Sequence, residues 1–310
     1  MSNEIPDSVI VSMDSLISLR LLAGKSIGTS RKKSVAQRSG NFASPFRGRG
    51  MDFSEVRLYQ PGDDIRSIDW RVTARTGTTH TKLYTEERER AIYFAVDAGP
   101  GMQFGTQVCF KSVVAAKVAG LLAWSSYSHG DRVGGVLYAG DQHKELKPVG
   151  GKRGVLTFLK SLVDWNHSSF GTTNNDSSGF IDVVSRLKRV AKPGSLIFIV
   201  SDFSNLTETA ERYLAQIAHH CDLAMIHVYD ELEKNAPPAG NYMLSDGVHS
   251  GKFYADGKHT HEVILSEFNA KENNLKRFCL KNGIHFFSIC STDDLARHVT
   301  SSMQRRAVIN

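Results

Sequence analysis

Short unbroken apolar runs alternate with amphipathic stretches along most of this chain. The runs Ala91-Ile92-Tyr93-Phe94-Ala95-Val96 and Leu196-Ile197-Phe198-Ile199-Val200 lead to Asp97 and Asp202, and their lack of polar positions predicts strands covered on both faces. Strands are also predicted at 132–139, 223–229 and 284–289, with 143–148 pairing back as an edge strand. Apolar residues at helical spacing predict helices at 106–129, 155–163, 180–191, 208–220, 267–280 and 293–303. This alternation implies an α/β fold with a mostly parallel central sheet flanked by helices and joined by right-handed crossovers. Ahead of it, Ile10, Met13, Ile17 and Leu21 predict a helix over 8–23 stopped by Gly24, and 79–85 reads as a short alternating strand. Residues 231–262, with Pro237-Pro238 and Asp256-Gly257, interrupt the rhythm and predict a hairpin excursion. The chain is thus expected to divide into an N-terminal helix, basic loop and motif region at 1–88 and an α/β domain at 89–310.

Composition narrows the class. An apolar fraction of 41% and a charged fraction of 23% belong to a soluble globular protein. No apolar run reaches the roughly eighteen residues of a membrane span, and the first residues lack the pattern of a secretory signal. Cys109, Cys221, Cys279 and Cys290 have no C-x-x-C spacing and sit mostly in apolar surroundings, as expected of free thiols in a reducing cytoplasm.

The net charge of +6 is concentrated, with eight basic residues and no acid between Ser15 and Met51, including Arg31-Lys32-Lys33, Arg38, Arg47 and Arg49. Such a segment is either a solvated loop or a binder of nucleic acid or another anionic surface. Only Phe42 and Phe46 accompany it, so no aromatic ladder for single strands is present.

The densest chemistry lies at 48–76. Asp63, Asp64 and Asp69 alternate with Arg57, Arg66, Arg71 and Arg75, which predicts a network of charge-assisted hydrogen bonds. Gly62 suits a turn conformation costly for other residues, and Asp63 and Asp64 are placed to accept from turn N–H groups or from Arg66. Period-two spacing of Ile68 and Trp70 predicts that both bury on one strand face, with Asp69 and Arg71 pointing away. Acids so mixed with arginines are already neutralised, which disfavours catalysis and leaves a structural clasp or a recognition surface. Elsewhere, Ser201 lacks a G-x-S-x-G elbow, no phosphate-binding G-x-x-x-x-G-K-[ST] occurs, and His259 and His261, alternating as on a strand, have no third ligand.

Two resemblances follow from these residues. Asp97 and Asp202 at strand ends, with Thr172 or Thr173 between them in the chain, resemble the metal-ion-dependent adhesion site of the von Willebrand factor A fold. That resemblance implies a Mg²⁺ ion held by Asp97, Thr172 and Asp202. Gly99 and Gly101 stand where the site has serines, so the site is degenerate and lacks two hydroxyl ligands.

The second is more extensive. Gly48-x-Gly50-x-x-Phe53, Arg57-x-Tyr59-x-x-Gly62-Asp63-Asp64-x-Arg66-x-Ile68-Asp69-Trp70, Ala74-Arg75 and Glu86-Glu87 are similar to the motif of domain-of-unknown-function family 58. Gly130-Asp131-Arg132-Val133-Gly134, Ser201-Asp202-Phe203 and Asp230-x-x-Glu233 fit as well. This family joins its motif to a von Willebrand A-like domain and is commonly encoded beside MoxR-type AAA+ ATPases. The resemblance implies a non-enzymatic adaptor or co-chaperone that recruits such an ATPase to a protein target. The alternatives are a metal-dependent enzyme at Asp97, Thr172 and Asp202, and an anionic-surface binder using the basic arm.

Overall fold

A computed structural model describes residues 6–23, 51–86, 89–171, 178–245 and 250–309. Their contacts divide the chain into two compact units, the described parts of 1–31 with 90–310 and of 32–89.

The chain begins with α1 (Met13–Ser18) and α2 (Arg20–Ala23), two short helices where one was predicted. The hydroxyl of Ser12 caps α1 by accepting from the N–H of Ser15. The smaller unit contains β1 (Met51–Leu58), α3 (Trp70–Thr76) and β2 (His80–Glu86), with β1 and β2 antiparallel.

The larger unit continues through β3 (Ala91–Asp97), α4 (Lys111–Ser128), β4 (Arg132–Ala139), β5 (Gln142–Val149), α5 (Gly151–Ser169) and α6 (Ser178–Val190). It is completed by β6 (Leu196–Ser201), α7 (Glu208–Ala218), β7 (Asp222–Tyr229), α8 (Glu231–Lys234), β8 (Gly240–Ser245), β9 (Ser250–Ala255), α9 (Lys258–Lys281), β10 (His285–Cys290) and α10 (Leu295–Ile309).

The central sheet runs β10-β7-β6-β3-β4-β5 and is parallel except at β5, which pairs antiparallel with β4. The mixed α/β fold with helices flanking a mostly parallel sheet is therefore as the apolar runs predict. Every residue of β6 is buried, because helices cover both faces. One face carries Ile92, Phe94, Val96, Phe198 and Val200 against α4 and α5; the other carries Tyr93, Ala95, Ile197 and Ile199 against α6 and α7. The first two helices belong to the former core. Trp124 donates from Nε1 to the carbonyl of Leu16 at 3.0 Å, and the N–H of Val11 donates to Asn166 Oδ1 at 3.0 Å.

Two expectations change. The excursion after β7 does contain a hairpin, β8–β9, but α8 precedes it, and α9 begins at Lys258. His259 and His261 consequently lie on a helix, where alternate residues do not share a face. Trp70 likewise opens α3 and is 67% exposed instead of buried on a strand. Asp69 forces this change: its carboxylate accepts from the N–H groups of Arg71 and Val72 at 3.0 and 3.2 Å, which starts a helix where period-two spacing suggested a strand.

Candidate functional site

The motif residues in the smaller unit fall into local turns and caps. Arg57 Nη2 donates to Asp63 Oδ1 at 2.6 Å, and Asp63 Oδ2 accepts from the N–H of Gln60 at 2.9 Å. The Tyr59 hydroxyl donates to the Asp63 carbonyl at 3.4 Å. Gly62 has φ +109°, a conformation strained for any L side chain. Asp64 accepts from the N–H of Arg66 at 2.9 Å and caps the 3₁₀ turn Ile65–Ser67, so it bonds the backbone of Arg66 rather than its guanidinium. The backbone N–H of Gln60 holds Asp63 below the usual carboxylate range, with Arg57 adding to the effect. Asp69 is lowered by the N–H of Val72 and by Lys82, whose Nζ lies 3.7 Å from Oδ2.

All three acids are thus spent on local structure. Arg66, Arg71 and Arg75 are exposed and make no ion pair among the described residues. Leu58 at 60%, Ile65 at 65% and Trp70 at 67% exposed share the unit with them. Gly48, Gly50, Glu87 and the basic run from Arg31 to Arg49 lie outside the described residues.

The second cluster forms at the carboxyl ends of β3 and β6, the place where open parallel sheets bind ligands. Asp97 closes β3; its Oδ1 accepts from the N–H of Gly99 at 2.8 Å and its Oδ2 from the Ser201 hydroxyl at 2.7 Å. Asp202 follows β6 and accepts from the N–H of Ser204 at 2.9 Å. Phe203 between them has φ +55°, a strained conformation for a bulky residue, and its N–H donates to Ser201 Oγ at 3.1 Å. The two aspartates are electrostatically coupled: burial, then the charge of Asp202, raises Asp97 to about 6.

A lysine that spacing did not single out completes the cluster. Lys111, the first residue of α4, is 1% exposed. Its Nζ donates to Asp202 Oδ2 at 3.1 Å and to Glu233 Oε1 at 2.7 Å. Glu233 is held in place because its other oxygen accepts from the N–H of Asp230 at 2.8 Å in a capping box on α8. Asp230 in turn accepts from Thr106 Oγ1 at 2.5 Å and Ser291 Oγ at 2.6 Å, which joins the α4 approach to the loop after β10. Burial opposes ionisation of Asp202, but Lys111, Lys271 and the N–H of Ser204 outweigh it and hold the carboxyl at about 2. Beside this cluster lies a cavity of about 330 Å³ lined by His227, Glu233, Phe268 and Lys271 among others. Burial, then Lys271, pushes His227 down to about 3.

The described residues of this cluster do not fit a magnesium ion. Gly99 and Gly101 supply no side-chain oxygen, although a Cβ at either would lie 3.1 Å from a carboxylate oxygen of Asp97 or Asp202. The Ser201 hydroxyl is committed to Asp97, and the ammonium of Lys111 already stands against Asp202. Thr172 and Thr173 lie outside the described residues. Among the described residues no group of three or more His, Cys, Asp or Glu side chains has metal-holding geometry.

Asp97 gives a pH prediction. Its folded pKa of about 6 exceeds the ordinary 3.8, so its contribution to stability is full below about 3.8 and lost as pH rises through about 6. Discounted for the solvent contact Asp97 retains, the loss is on the order of 1 kcal/mol. Asp97→Asn is expected to melt above the wild type at pH 7.5 and to approach it below about pH 3.8. Thermal melts at the two pH values check this; parallel curves would contradict it.

A family model described as "Protein of unknown function DUF58" matches residues 55–272. Uncharacterized protein Rv1480 of Mycobacterium tuberculosis (strain ATCC 25618 / H37Rv) and Uncharacterized protein Mb1516 of Mycobacterium bovis are each 30% identical over 199 residues, or 64% of this chain. The chain spans 61% of the length of these relatives. Among solved structures, BatB from Bacteroides thetaiotaomicron has a TM-score of 0.42 at 12% identity, covering 71% of this chain and 99% of its own. An aerotolerance-related membrane protein from Bacteroides fragilis NCTC 9343 has a TM-score of 0.43 at 11% identity, covering 70% and 99%. No described helix of the present chain is long and apolar enough to cross a membrane.

Proposed function

Because the chain belongs to the DUF58 family, whose description assigns no reaction, we propose from its geometry a non-enzymatic protein-interaction module. In this reading it is an adaptor or co-chaperone for a MoxR-type AAA+ ATPase, acts in the cytoplasm, and docks through the motif unit. The larger unit is a von Willebrand factor A-like scaffold with a degenerate adhesion site. The partner class comes from the family resemblance.

One observation carries the docking role: the motif spends its acids on caps while leaving Trp70, Ile65 and three arginines with no ion pair among the described residues at the surface. A folded unit has no internal use for a tryptophan two-thirds exposed, whereas Trp and Arg dominate binding hot spots. Arg71 and Arg75 are four apart on α3, the spacing that puts two side chains on one helical face.

The test is binding of wild type and Trp70→Ala to the MoxR-type AAA+ ATPase of the same genome, with melting curves alongside. A hot-spot loss of about 2 kcal/mol gives roughly thirty-fold weaker binding. Melting is expected within about 2 °C of the wild type, since an exposed side chain contributes little to stability. Loss of stability with binding unchanged would establish the structural clasp instead. Failure of the wild type to bind would overturn the adaptor reading.

A further inference from the structure

Lys111 is a costly residue to keep where it stands. It begins α4, where the helix dipole disfavours a cation, and it is almost wholly removed from water. A lysine serving only to start a helix would reach solvent along its flexible stem. This one turns inward, to Asp202 after β6 and Glu233 on α8.

Its surroundings are those of a bound cation. Two carboxylate oxygens from separate elements approach one dehydrated positive centre at 3.1 and 2.7 Å. Both carboxylates are held from behind: Asp202 by the N–H of Ser204, and Glu233 by the N–H of Asp230. Gly101 leaves the space beside Asp202 Oδ2 without a hydroxyl. A divalent ion bound to Asp202 at the usual ~2.1 Å would sit within a few ångströms of the ammonium, in a setting that screens their repulsion weakly.

We infer that the Lys111 ammonium is the resident cation of the strand-end site, so that this face is assembled without a divalent metal. The lysine performs the fastening a metal would: it draws together the start of α4, the turn after β6 and α8. Being covalently attached, it cannot be removed by a chelator or diluted away. The cluster Asp230-x-x-Glu233 then has a definite task, since the capping box aims Glu233 at Lys111. Glu233 and Asp230 are positioning residues for this assembly, whatever docks on the motif unit.

The experiment uses the full chain with Mn²⁺ as probe. Wild type is expected to show no calorimetric Mn²⁺ uptake at millimolar concentration and the same melting temperature in EDTA as in Mg²⁺. Its Lys111 ammonium should give a protected ¹⁵N–¹H resonance that Mn²⁺ neither displaces nor broadens. Lys111→Ser frees the position and adds a hydroxyl; it is expected to melt several degrees lower, to take up Mn²⁺, and to regain part of the lost melting temperature on doing so. Adding Asp202→Asn should abolish that uptake. Mn²⁺ binding by wild type that disappears in Asp202→Asn would overturn the inference. So would a Lys111→Ser variant that melts like wild type and ignores Mn²⁺. Should Lys111→Ser not fold, the wild-type resonance decides: a signal broadened by Mn²⁺ refutes a resident ammonium, and one left unaltered supports it.

Discussion

Gly135→Ala is expected to destabilise the protein by more than about 3 kcal/mol, enough to leave little folded material at 37 °C. Gly135 lies in β4 directly opposite Phe94 of β3. A Cβ there would fall 2.0 Å from the Phe94 carbonyl oxygen and 2.7 Å from its nitrogen. Both are backbone atoms, so no rotamer change relieves the clash. Nor can Phe94 retreat: it is fully buried, with its ring centroid 5.2 Å from Phe198 and 5.0 Å from Phe158. On the other edge, β4 and β5 lose register between Val133 and Gly135, and a Cβ on Gly134 would meet the Leu146 carbonyl at 2.5 Å. The glycine pair therefore lets β4 fit closely between two backbones. Gly130→Ala provides the contrast. It has φ +77° and open space around its Cβ position, so only the left-handed backbone costs, at about 1 kcal/mol. Denaturant midpoints of the two variants check the ordering; equal midpoints would contradict it.

The same close packing explains what the sequence could and could not disclose. β3 and β6 are legible because strands covered on both faces need unbroken apolar runs, and the aspartates that end those runs mark the carboxyl ends of the strands, where open parallel sheets generally bind ligands. Helix α4 is legible only as a helix: it is apolar nearly all round, so no periodicity indicates which neighbours it packs against. Trp70 misleads because two residues at spacing two look the same whether a strand continues or a capped helix starts. The cap depends on Asp69 turning its carboxylate back onto the chain. At the strand-end site, Asp97 and Asp202 carry a positional signal and Lys111 carries none. Its partners are 91 and 122 residues away, and only the folded sheet brings the three together. A lysine near the start of a mostly apolar helix is a clue, but a weak one, since helix ends ordinarily face water. Glu233 could be found through its three-residue spacing with Asp230, but the capping box does not reveal what the carboxylate faces.

Asp202→Ala is expected to cost about 3–5 kcal/mol, because it strips one of two counter-charges from an ammonium almost wholly removed from water. The loss should exceed that of any exposed ion pair in the molecule, such as Arg297–Asp294, which contributes at most about 1 kcal/mol. Two features separate this from simple loss of packing. Raising the salt concentration should leave the difference between wild type and variant nearly unchanged, since the pair is buried beyond effective screening. The difference should also have a defined pH window. Asp202 is held at about 2 against an ordinary 3.8, so its stabilisation is complete above about 3.8 and fades as pH falls through about 2. Wild type and variant are therefore expected to differ fully at pH 5 to 8 and to converge toward pH 2. A neutral replacement of the whole set, Lys111→Met with Asp202→Asn and Glu233→Gln, should recover most of the stability, because the penalty arises from the unpaired charge and not from the missing side chain. Removing Asp202 also withdraws one of the charges that raise Asp97, so the Asp97 carboxyl should titrate lower in Asp202→Ala, as followed by ¹³C carboxyl shifts. If Asp97 does not move and the triple variant is no more stable than Asp202→Ala, the energetic coupling of the strand-end charges is refuted.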